Sequence, residues 1–373
     1  MNAKRYLKLP DKGASPLAIL LMLFPVLFSA CEKEVEFDSP DAETTTNIAL
    51  NAIAVEGEPL RVYLNRTYPV GKEPKTNVGY QYAFTNDEAS MDYQSSLYYK
   101  RTAVLDADVR AVVNGSQTYT MTLASDSMGY VCDYRPMAND HIEVQADGIT
   151  VETTVPSKPN LKVLRHEVLA NNPYKQRGAL SYDTDTIMRI TCQINDAGSN
   201  QYYRLRVRSE RKIIVGTNEW SDGVIVGRHD DFAFILMQDI FFSDDGLFVD
   251  NRLSEGFGGW PENFSNVFSN SQISGTGSTI TIDSPKPSAD IGLYDPITAK
   301  MRELLDGPDV PARVMVELQA ISPELYRYLK SVELYRVTES DAFSEPVQIY
   351  TNVQNGWGIF GSLSSDRVFI PYD

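Results

Sequence analysis

The feature that most constrains the fold of this chain is the alternation of apolar and other residues in short runs from residue 48 onward. Val109, Ala111 and Val113 occupy alternate positions in a run that ends at Asn114-Gly115. Successive side chains of a strand point to opposite faces, and Asn-Gly after such a run is a strong hairpin signal. A similar pattern surrounds Asp147-Gly148. The alternation predicts half-buried antiparallel strands joined by tight turns.

The spacing of these runs predicts a mainly β protein with two domains, for which 373 residues are sufficient. Short strands that turn about every ten residues are typical of a sandwich, so residues 45–157 are interpreted as an immunoglobulin-like β-sandwich. Pro156-Ser157-Lys158-Pro159 is interpreted as a linker, because two prolines disfavour both helix and interior strand. Residues 158–373 are then a second β-rich domain with one or two short helices.

The second domain contains one well-marked helix start. Ser322 fits an N-cap and Pro323 fits the first helical position, and an apolar stripe follows. This pattern predicts a helix over 323–335 that packs against a sheet. A further short helix is predicted over 299–305. Residues 252–287 are rich in Gly, Ser and Asn, so they are interpreted as a long loop or a loose hairpin.

The first thirty residues have the three parts of an export signal. A basic start that includes Lys4 and Arg5 precedes a short apolar run over 16–28, and the small pair Ser29-Ala30 stands before Cys31. This order predicts a cleaved signal over 1–30 rather than a transmembrane helix. The residues before Cys31 resemble a lipobox, so we expect Cys31 to carry several acyl chains. Two or three chains hold a protein stably at a membrane, whereas one chain binds only marginally.

Net charge restricts the partners of the chain. The formal net charge is −16, which disfavours a nucleic-acid partner because phosphate binding needs a basic face. Residues 31–44 form an acidic tether directly behind the predicted lipid. In one group of Gram-negative bacteria, such acidic residues resemble a signal for export to the outer face. We therefore expect an outer-membrane lipoprotein, and either membrane face remains open.

Apart from Cys31, the sequence has two cysteines, Cys132 and Cys192. Exported proteins can form disulfides, and a bond between these two would close a long loop. Both cysteines alternate with apolar residues in predicted strands, so we favour free, buried cysteines that pack as small apolar side chains.

No motif for catalysis, metal binding or a cofactor stands out. The three histidines, His141, His166 and His229, are isolated from one another and from the cysteines. The sequence also lacks a G-x-S-x-G turn and a phosphate loop. Solvated turns are the favoured interpretation of the densest acidic segments; calcium binding and carboxylate catalysis are the alternatives. These acids are Asp230, Asp231, Asp244, Asp245 and Asp250. We predict no metal, no cofactor and no enzymatic activity.

Two groups of residues could form a partner or ligand surface. The first group consists of three arginines on one face of a predicted strand, Arg204, Arg206 and Arg208. Their positive charges would repel one another unless acids on a neighbouring strand compensate them. The second group consists of tyrosines, which are favoured at recognition surfaces. Its members are Tyr80, Tyr82, Tyr93, Tyr98 and Tyr99. Packing within the protein is the competing interpretation for both groups.

Four segments of the sequence resemble a known family. They are Val62 to Pro69, Ile321 to Leu329, Phe343 to Val347 and Thr351 to Gly361. Together with the lipobox and its acidic start, they resemble the Bacteroidetes outer-membrane lipoproteins classed as domain-of-unknown-function family 4249. The resemblance covers most of the chain after the signal, whereas residues 72–101 and 216–287 look individual to this protein.

The resemblance implies location and architecture but supplies no catalytic residues. Members of the family often accompany TonB-dependent outer-membrane receptors, which suggests such a receptor as partner. We therefore expect a non-catalytic accessory that binds a partner or nutrient beside a TonB-dependent transporter. The alternatives are a structural or adhesive envelope protein and a carboxylate-dependent glycan hydrolase.

The motif over 351–361 has a structural interpretation of its own. Its glycines suit tight turns or the close approach of another strand, and its apolar residues suit a domain core; an exposed recognition role is the alternative. The glycines are Gly356, Gly358 and Gly361, and the apolar residues are Trp357, Ile359 and Phe360.

Overall fold

Most of the described chain is strand, as the alternation predicts. The computed structural model describes residues 48–68, 102–171, 186–195, 201–221, 224–239, 241–250, 253, 264–273, 278–285, 313–338, 347–354 and 356–372. For 211–221 and 224–239 it describes the backbone only. Thr46–Asp373 form one compact unit. The fold class, mainly β, is confirmed, whereas the immunoglobulin-like character of the first sandwich is not.

The strands, in chain order, are β1 (Ile48–Val55), β2 (Arg61–Arg66), β3 (Val109–Val113), β4 (Gln117–Leu123), β5 (Tyr130–Val131), β6 (His141–Ala146), β7 (Ile149–Thr154), β8 (Asn160–Leu169), β9 (Ile187–Asn195), β10 (Tyr202–Ser221), β11 (Val224–Asp239), β12 (Val267–Ser269), β13 (Ser278–Pro285), β14 (Arg313–Ile321) and β15 (Trp357–Pro371). The helix α1 spans Pro323–Thr338, and short 3-10 turns span Gly246–Phe248 and Asn270–Gln272.

These strands form two sheets within the described ranges. The larger has the order β11-β10-β14-β15-β1-β2-β5-β4-β3-β6-β7, with β12 beside β10. The smaller has the order β13-β9-β8. Strand β4 pairs with β3 over most of its length and with β5 through Thr122 and Leu123. The larger sheet therefore turns a corner at β4 and folds back over itself.

The first hydrophobic core lies between the two arms of this folded sheet. Leu50 and Leu64, from β1 and β2, share one cluster with Ile142 and Val151, from β6 and β7. All four are less than 3% exposed. The two-residue turn Asp147-Gly148 between β6 and β7 has positive φ at both positions, as a type I′ hairpin turn requires. Asn114 and Gly115, in the three-residue turn between β3 and β4, also have positive φ.

The second hydrophobic core lies between the smaller sheet and the β10-β14-β15 part of the larger one. Ile190 and Ile282 from the smaller sheet meet Leu205 and Val316 from the larger, and all four are 0% exposed. Cys192 belongs to this core and Cys132 packs against the first, and both are free thiols. Burial raises the pKa of Cys192 to about 12, so its thiolate is scarce near neutral pH.

Strand β15 connects the two cores. Its first half, from Trp357 to Leu363, pairs in parallel with β1, and its second half pairs antiparallel with β14. Phe360, which is 0% exposed, belongs to the first core, and Ile370 belongs to the second. The predicted division at residue 157 coincides with the change of core along the chain, but β15 belongs to both. Whether residues 45–157 are a domain stays a prediction.

The helix begins as the sequence predicts. The Ser322 Oγ accepts a hydrogen bond from the Leu325 N–H at 3.3 Å, and α1 continues to Thr338. Leu325 packs against Ile321 and Leu363 on the sheet. A Cβ at Gly361 would lie 2.7 Å from the Leu325 Cβ, so this glycine permits the close contact.

The prediction of a long loop or a loose hairpin over 252–287 was wrong, because this segment contains β12 and β13, which pair with β10 and β9 rather than with each other. Ile280 and Ile282 do alternate with polar residues there, but the surrounding Gly, Ser and Asn obscured a strand that the second core requires. The predicted helix over 299–305 lies outside the described residues. No helix in the ranges given above is long and apolar enough to span a bilayer.

Candidate functional site

The most unusual feature of the described chain is a long two-stranded ribbon formed by β10 and β11. The two strands pair from Arg208 and Asp239 to Ser221 and Val224. On its other edge, β10 pairs with the described part of β14 as far as Glu210. The ribbon therefore continues for eleven residues of β10 beyond that neighbour, which at 3.3 Å per residue is about 36 Å.

The composition of β11 changes along its length. Its first half contains Arg228, His229 and the acids Asp230 and Asp231, and the register shifts opposite this half at Val215/Gly216 and Glu219/Trp220. The next six residues, Phe232–Met237, are all apolar and pair with β10 in unbroken register. In the described chain β11 is the last strand at this end of the sheet, so its outer backbone edge faces no other strand.

A polar groove with a volume of 330 Å³ lies beside β13 and β9. Its residues alternate with the isoleucines that enter the second core, so it occupies the opposite face of the smaller sheet. The lining residues are Arg189, Ser243, Asp244, Asp245, Thr279, Thr281 and Asp283.

Hydrogen bonds hold the walls of the groove in place. The Arg189 guanidinium donates to both oxygens of Asp283, at 2.8 and 2.7 Å, in the two-point geometry that suits arginine and carboxylate. The Ser243 Oγ donates to the Thr281 carbonyl at 2.6 Å. The Asp245 Oδ1 accepts from the Leu247 N–H at 2.9 Å and so caps a 3-10 turn. Asp244, by contrast, is exposed, so the groove presents a carboxylate and threonine hydroxyls on a fixed frame.

The five aspartates that the sequence suggested for carboxylate catalysis or calcium binding do not lie in one site of the described chain. Asp244 and Asp245 line the groove, but Asp250 forms an ion pair with Lys330 at 2.9 Å. Asp230 and Asp231 belong to the ribbon, where only the backbone is described. Within the described ranges, no three residues among His, Cys, Asp and Glu are grouped so as to hold a metal ion.

The predicted arginine row lies on β10, and one acid of the neighbouring strand β14 lies opposite it. Arg206 is in register with Glu317, and the nearest oxygen of that carboxylate is 3.6 Å away. Arg367 of β15 donates to the same carboxylate at 2.8 Å. The Arg206 side chain is 13% exposed and Arg208 is 7% exposed. The row is therefore tied into the sheet, and its predicted role as a partner surface remains a prediction.

The family to which the chain is related follows from its sequence. The family model described as "Domain of unknown function (DUF4249)" matches residues 32–367. The chain belongs to this family. The predicted resemblance is thus confirmed. No curated protein matches the chain.

Among solved structures, a putative membrane anchored protein from Corynebacterium diphtheriae is similar to this DUF4249 chain at 7% sequence identity. The match covers 74% of this chain and 54% of that chain, with a TM-score of 0.15. The chain therefore spans about half the length of that protein. At this TM-score the likeness carries no argument about fold or function.

Several residues predicted for the site of this DUF4249 chain lie outside the described ranges. They are the lipidation residue Cys31 and the tyrosines Tyr80, Tyr82, Tyr93, Tyr98 and Tyr99. Their predicted roles stay predictions.

One charged cluster was not foreseen from the sequence. The Lys330 Nζ donates to the Ser265 Oγ at 2.5 Å and pairs with Asp250 and Glu333, at 2.9 and 3.3 Å. A serine beside a lysine can be a nucleophile and its base, but here two carboxylates balance the lysine charge and Ser265 is 2% exposed. The cluster therefore fastens α1 to the segments before it. Helical periodicity identifies the apolar positions of a helix that face a core. It therefore gave no signal for the buried charge of Lys330.

Proposed function

We propose that this chain is a lipid-anchored, non-catalytic envelope protein that binds a partner beside a TonB-dependent receptor of the outer membrane. The observation that carries the proposal is the β10–β11 ribbon. Within the described ranges it extends beyond Glu210, the last residue of β10 that pairs with β14, and combines two long backbone edges with an apolar segment. A ribbon that gains little from its own sheet is explained best by a second molecule that completes it.

The N-terminus supports the location. The residues before Cys31 have the order of a lipoprotein signal, and an acyl-anchored protein diffuses in the same membrane as a receptor. Confinement to one membrane raises the effective concentration of two partners, so moderate affinity suffices for a stable pair. The family resemblance favours a TonB-dependent receptor over other envelope proteins.

The proposal is tested by extraction of a C-terminally tagged chain from native membranes in mild detergent. The expected result is a stoichiometric β-barrel receptor in the purified material. A Cys31→Ser variant, which cannot be acylated, is expected to recover much less receptor because it is no longer confined to the membrane. A wild-type protein that is fully extracted and yet elutes alone contradicts the proposal.

A second candidate function, binding of a small hydroxylated nutrient, is favoured by the groove. Thr279 and Thr281 are exposed, and the Asp244 carboxylate can accept hydrogen bonds from ligand hydroxyls. A glycan array probed with the purified protein tests this candidate. Signals that Asp244→Asn abolishes support it, and signals that this substitution leaves unchanged place the binding elsewhere. Product formation would instead favour the hydrolase alternative.

A further inference from the structure

We propose that residues Phe232–Met237 of β11 are a strand-addition site, to which an extended segment of a partner protein adds antiparallel or parallel to the sheet edge. The inference rests on the proposed function and deepens it, because it names the part of the chain that makes the contact and the conformation of the partner. The kind of partner is fixed by the chemistry of a strand edge.

A strand edge selects its ligand by backbone geometry. Along β11, alternate residues direct their N–H and C=O groups toward β10, and the remaining residues direct theirs outward. Only another extended chain offers donors and acceptors at a matching spacing over a distance of about 20 Å. A helix or a small ligand would leave most of these groups without partners.

Two other outer strands of the described chain, β8 and β7, are protected. Strand β8 has Lys162, Arg165 and Glu167 and a register shift between Val163 and Arg165. Strand β7 is only six residues long. Charges, bulges and short length are the devices by which proteins prevent unwanted strand pairing.

The segment Phe232–Met237 has none of these devices. It contains no charged residue, proline or glycine, and it pairs with Arg211–Val215 and Glu210 of β10 without a register shift. The first half of the same strand, by contrast, contains charges and lies opposite two register shifts. The features that prevent strand pairing therefore end where the apolar segment begins, as expected of an edge that binds a partner strand.

Charge favours a different protein over a second copy of this chain. Asp230 and Asp231 immediately precede the apolar segment, and Asp230 is in register with Gly216, which offers no charge. A second copy would bring a body of net charge −16 against an equal one. The expected occupant is therefore an apolar extended segment with a lysine or arginine at the end that meets these aspartates.

The experiment compares tagged wild-type chain with two lysine variants, all extracted from native membranes in mild detergent. Ala233→Lys places a charge in the proposed edge, where a lysine must lose its hydration when a strand adds. Leu164→Lys is the matched control, because Leu164 is an exposed apolar residue on the protected edge of β8. We expect Ala233→Lys to recover about tenfold less receptor than wild type, and Leu164→Lys to recover the wild-type amount.

Hydrogen exchange on the purified, partner-free proteins completes the test. We expect the outward amides of residues 232–237 to exchange rapidly in the wild type, and Ala233→Lys to leave the protection of both cores unchanged. Wild-type protein without a receptor would overturn the proposed function and this inference together. A receptor that copurifies equally with Ala233→Lys would overturn the inference alone. Protection of these amides in the free monomer, or protection that rises with dimer formation, would also overturn it.

Discussion

The buried carboxylate of Asp140 connects two of the chain segments that join the strands around the first core. Its carboxylate accepts hydrogen bonds from the Tyr134 Oη at 2.5 Å, the Asn114 Nδ2 at 2.9 Å and the Met137 N–H at 2.9 Å. Asn114 in turn accepts from the His141 N–H and has a φ of 51°. The carboxylate thus holds the β3–β4 turn against the loop that leads into β6.

These hydrogen bonds predict an acid-sensitive contribution to stability. Burial alone raises the pKa of Asp140, but the hydrogen bonds from Tyr134, Asn114 and Met137 outweigh it and hold the pKa below its ordinary value. A carboxyl whose folded-state pKa is lowered stabilises the fold above its unfolded-state pKa, and this contribution is lost as the pH falls through the folded-state pKa. We expect Asp140→Asn to lower the free energy of unfolding at pH 7 by about 1–3 kcal/mol and to flatten its decline between pH 5 and 2.

Urea titrations at several pH values measure both effects. Asp108→Asn is the control, because Asp108 pairs with Arg110 at the exposed surface and such pairs contribute less than about 1 kcal/mol. Equal pH profiles for Asp140→Asn and wild type would show that Asp140 is not the group whose protonation destabilises this sandwich.

Single residues differ in how far the sequence determines their place. The buried positions of Ile359 and Phe360 were predicted from their apolar character and are confirmed, since both are less than 5% exposed. The predicted core position of Trp357 was wrong, because it is 50% exposed. Trp357 precedes Gly358, whose φ of 109° reorients the chain as β15 begins. Sequence indicated that these glycines permit unusual backbone geometry but could not show which side chains that geometry would expose.

At the scale of elements, the close contact of α1 with β15 depends on a glycine, Gly361, which has no side chain. The Leu325 Cβ lies 2.7 Å from where a Gly361 side chain would begin. We expect Gly361→Ala to push the helix from the strand and to lower the free energy of unfolding by about 1–3 kcal/mol, a typical cost of overpacking. Gly246→Ala is the matched control, because a Cβ at Gly246 meets nothing within 4 Å. Urea midpoints measured by circular dichroism would be equal for the two variants if the helix were not held this closely.

The Lys330 cluster fastens the same helix to the segments around Asp250 and Ser265. Lys330→Met leaves Asp250, which is 12% exposed, without its cation, and removal of one partner from a buried pair typically costs about 3–5 kcal/mol. The triple variant Lys330→Met, Asp250→Asn, Glu333→Gln removes the uncompensated charges, so we expect it to recover part of the lost stability. Arg165→Met, which breaks an exposed pair with Glu167, is the surface control. A triple variant less stable than Lys330→Met would mean that the cluster does not act through charge balance.

Elements with strong local signals were predictable, and elements defined by their neighbours were not. The hairpin turns at Asn114-Gly115 and Asp147-Gly148 and the start of α1 at Ser322 depend on residues adjacent in sequence. Strand β13, in contrast, exists because β9 and Phe242 supply partners for its backbone. The ribbon was missed as a candidate site for the same reason, since the extent of pairing between β10 and the described part of β14 cannot be seen from either strand alone.

At the scale of the whole molecule, β15 makes the two cores dependent on each other. Residues 46–157 contain β1 to β7, but their core also includes Val353 and Phe360 from the far end of the chain. Strand β1 loses its parallel partner without β15, and the Ser362 Oγ that donates to the Thr154 carbonyl at 2.7 Å is lost as well.

This dependence predicts the behaviour of the isolated N-terminal part. A fragment of residues 46–157 would expose the apolar surface that Phe360 covers and leave one edge of β1 open, so we expect it to lack a cooperative unfolding transition. A synthetic peptide of residues 350–372 supplies the missing strand, and we expect its addition to restore a transition whose midpoint rises with peptide concentration, because binding to the folded state alone stabilises that state. The same peptide with Phe360→Ala is the control and should be much less effective, since the largest side chain that it adds to the core is removed. Cooperative unfolding of the fragment without any peptide would instead establish residues 45–157 as the independent domain that the sequence predicts, and β15 as an addition to its edge.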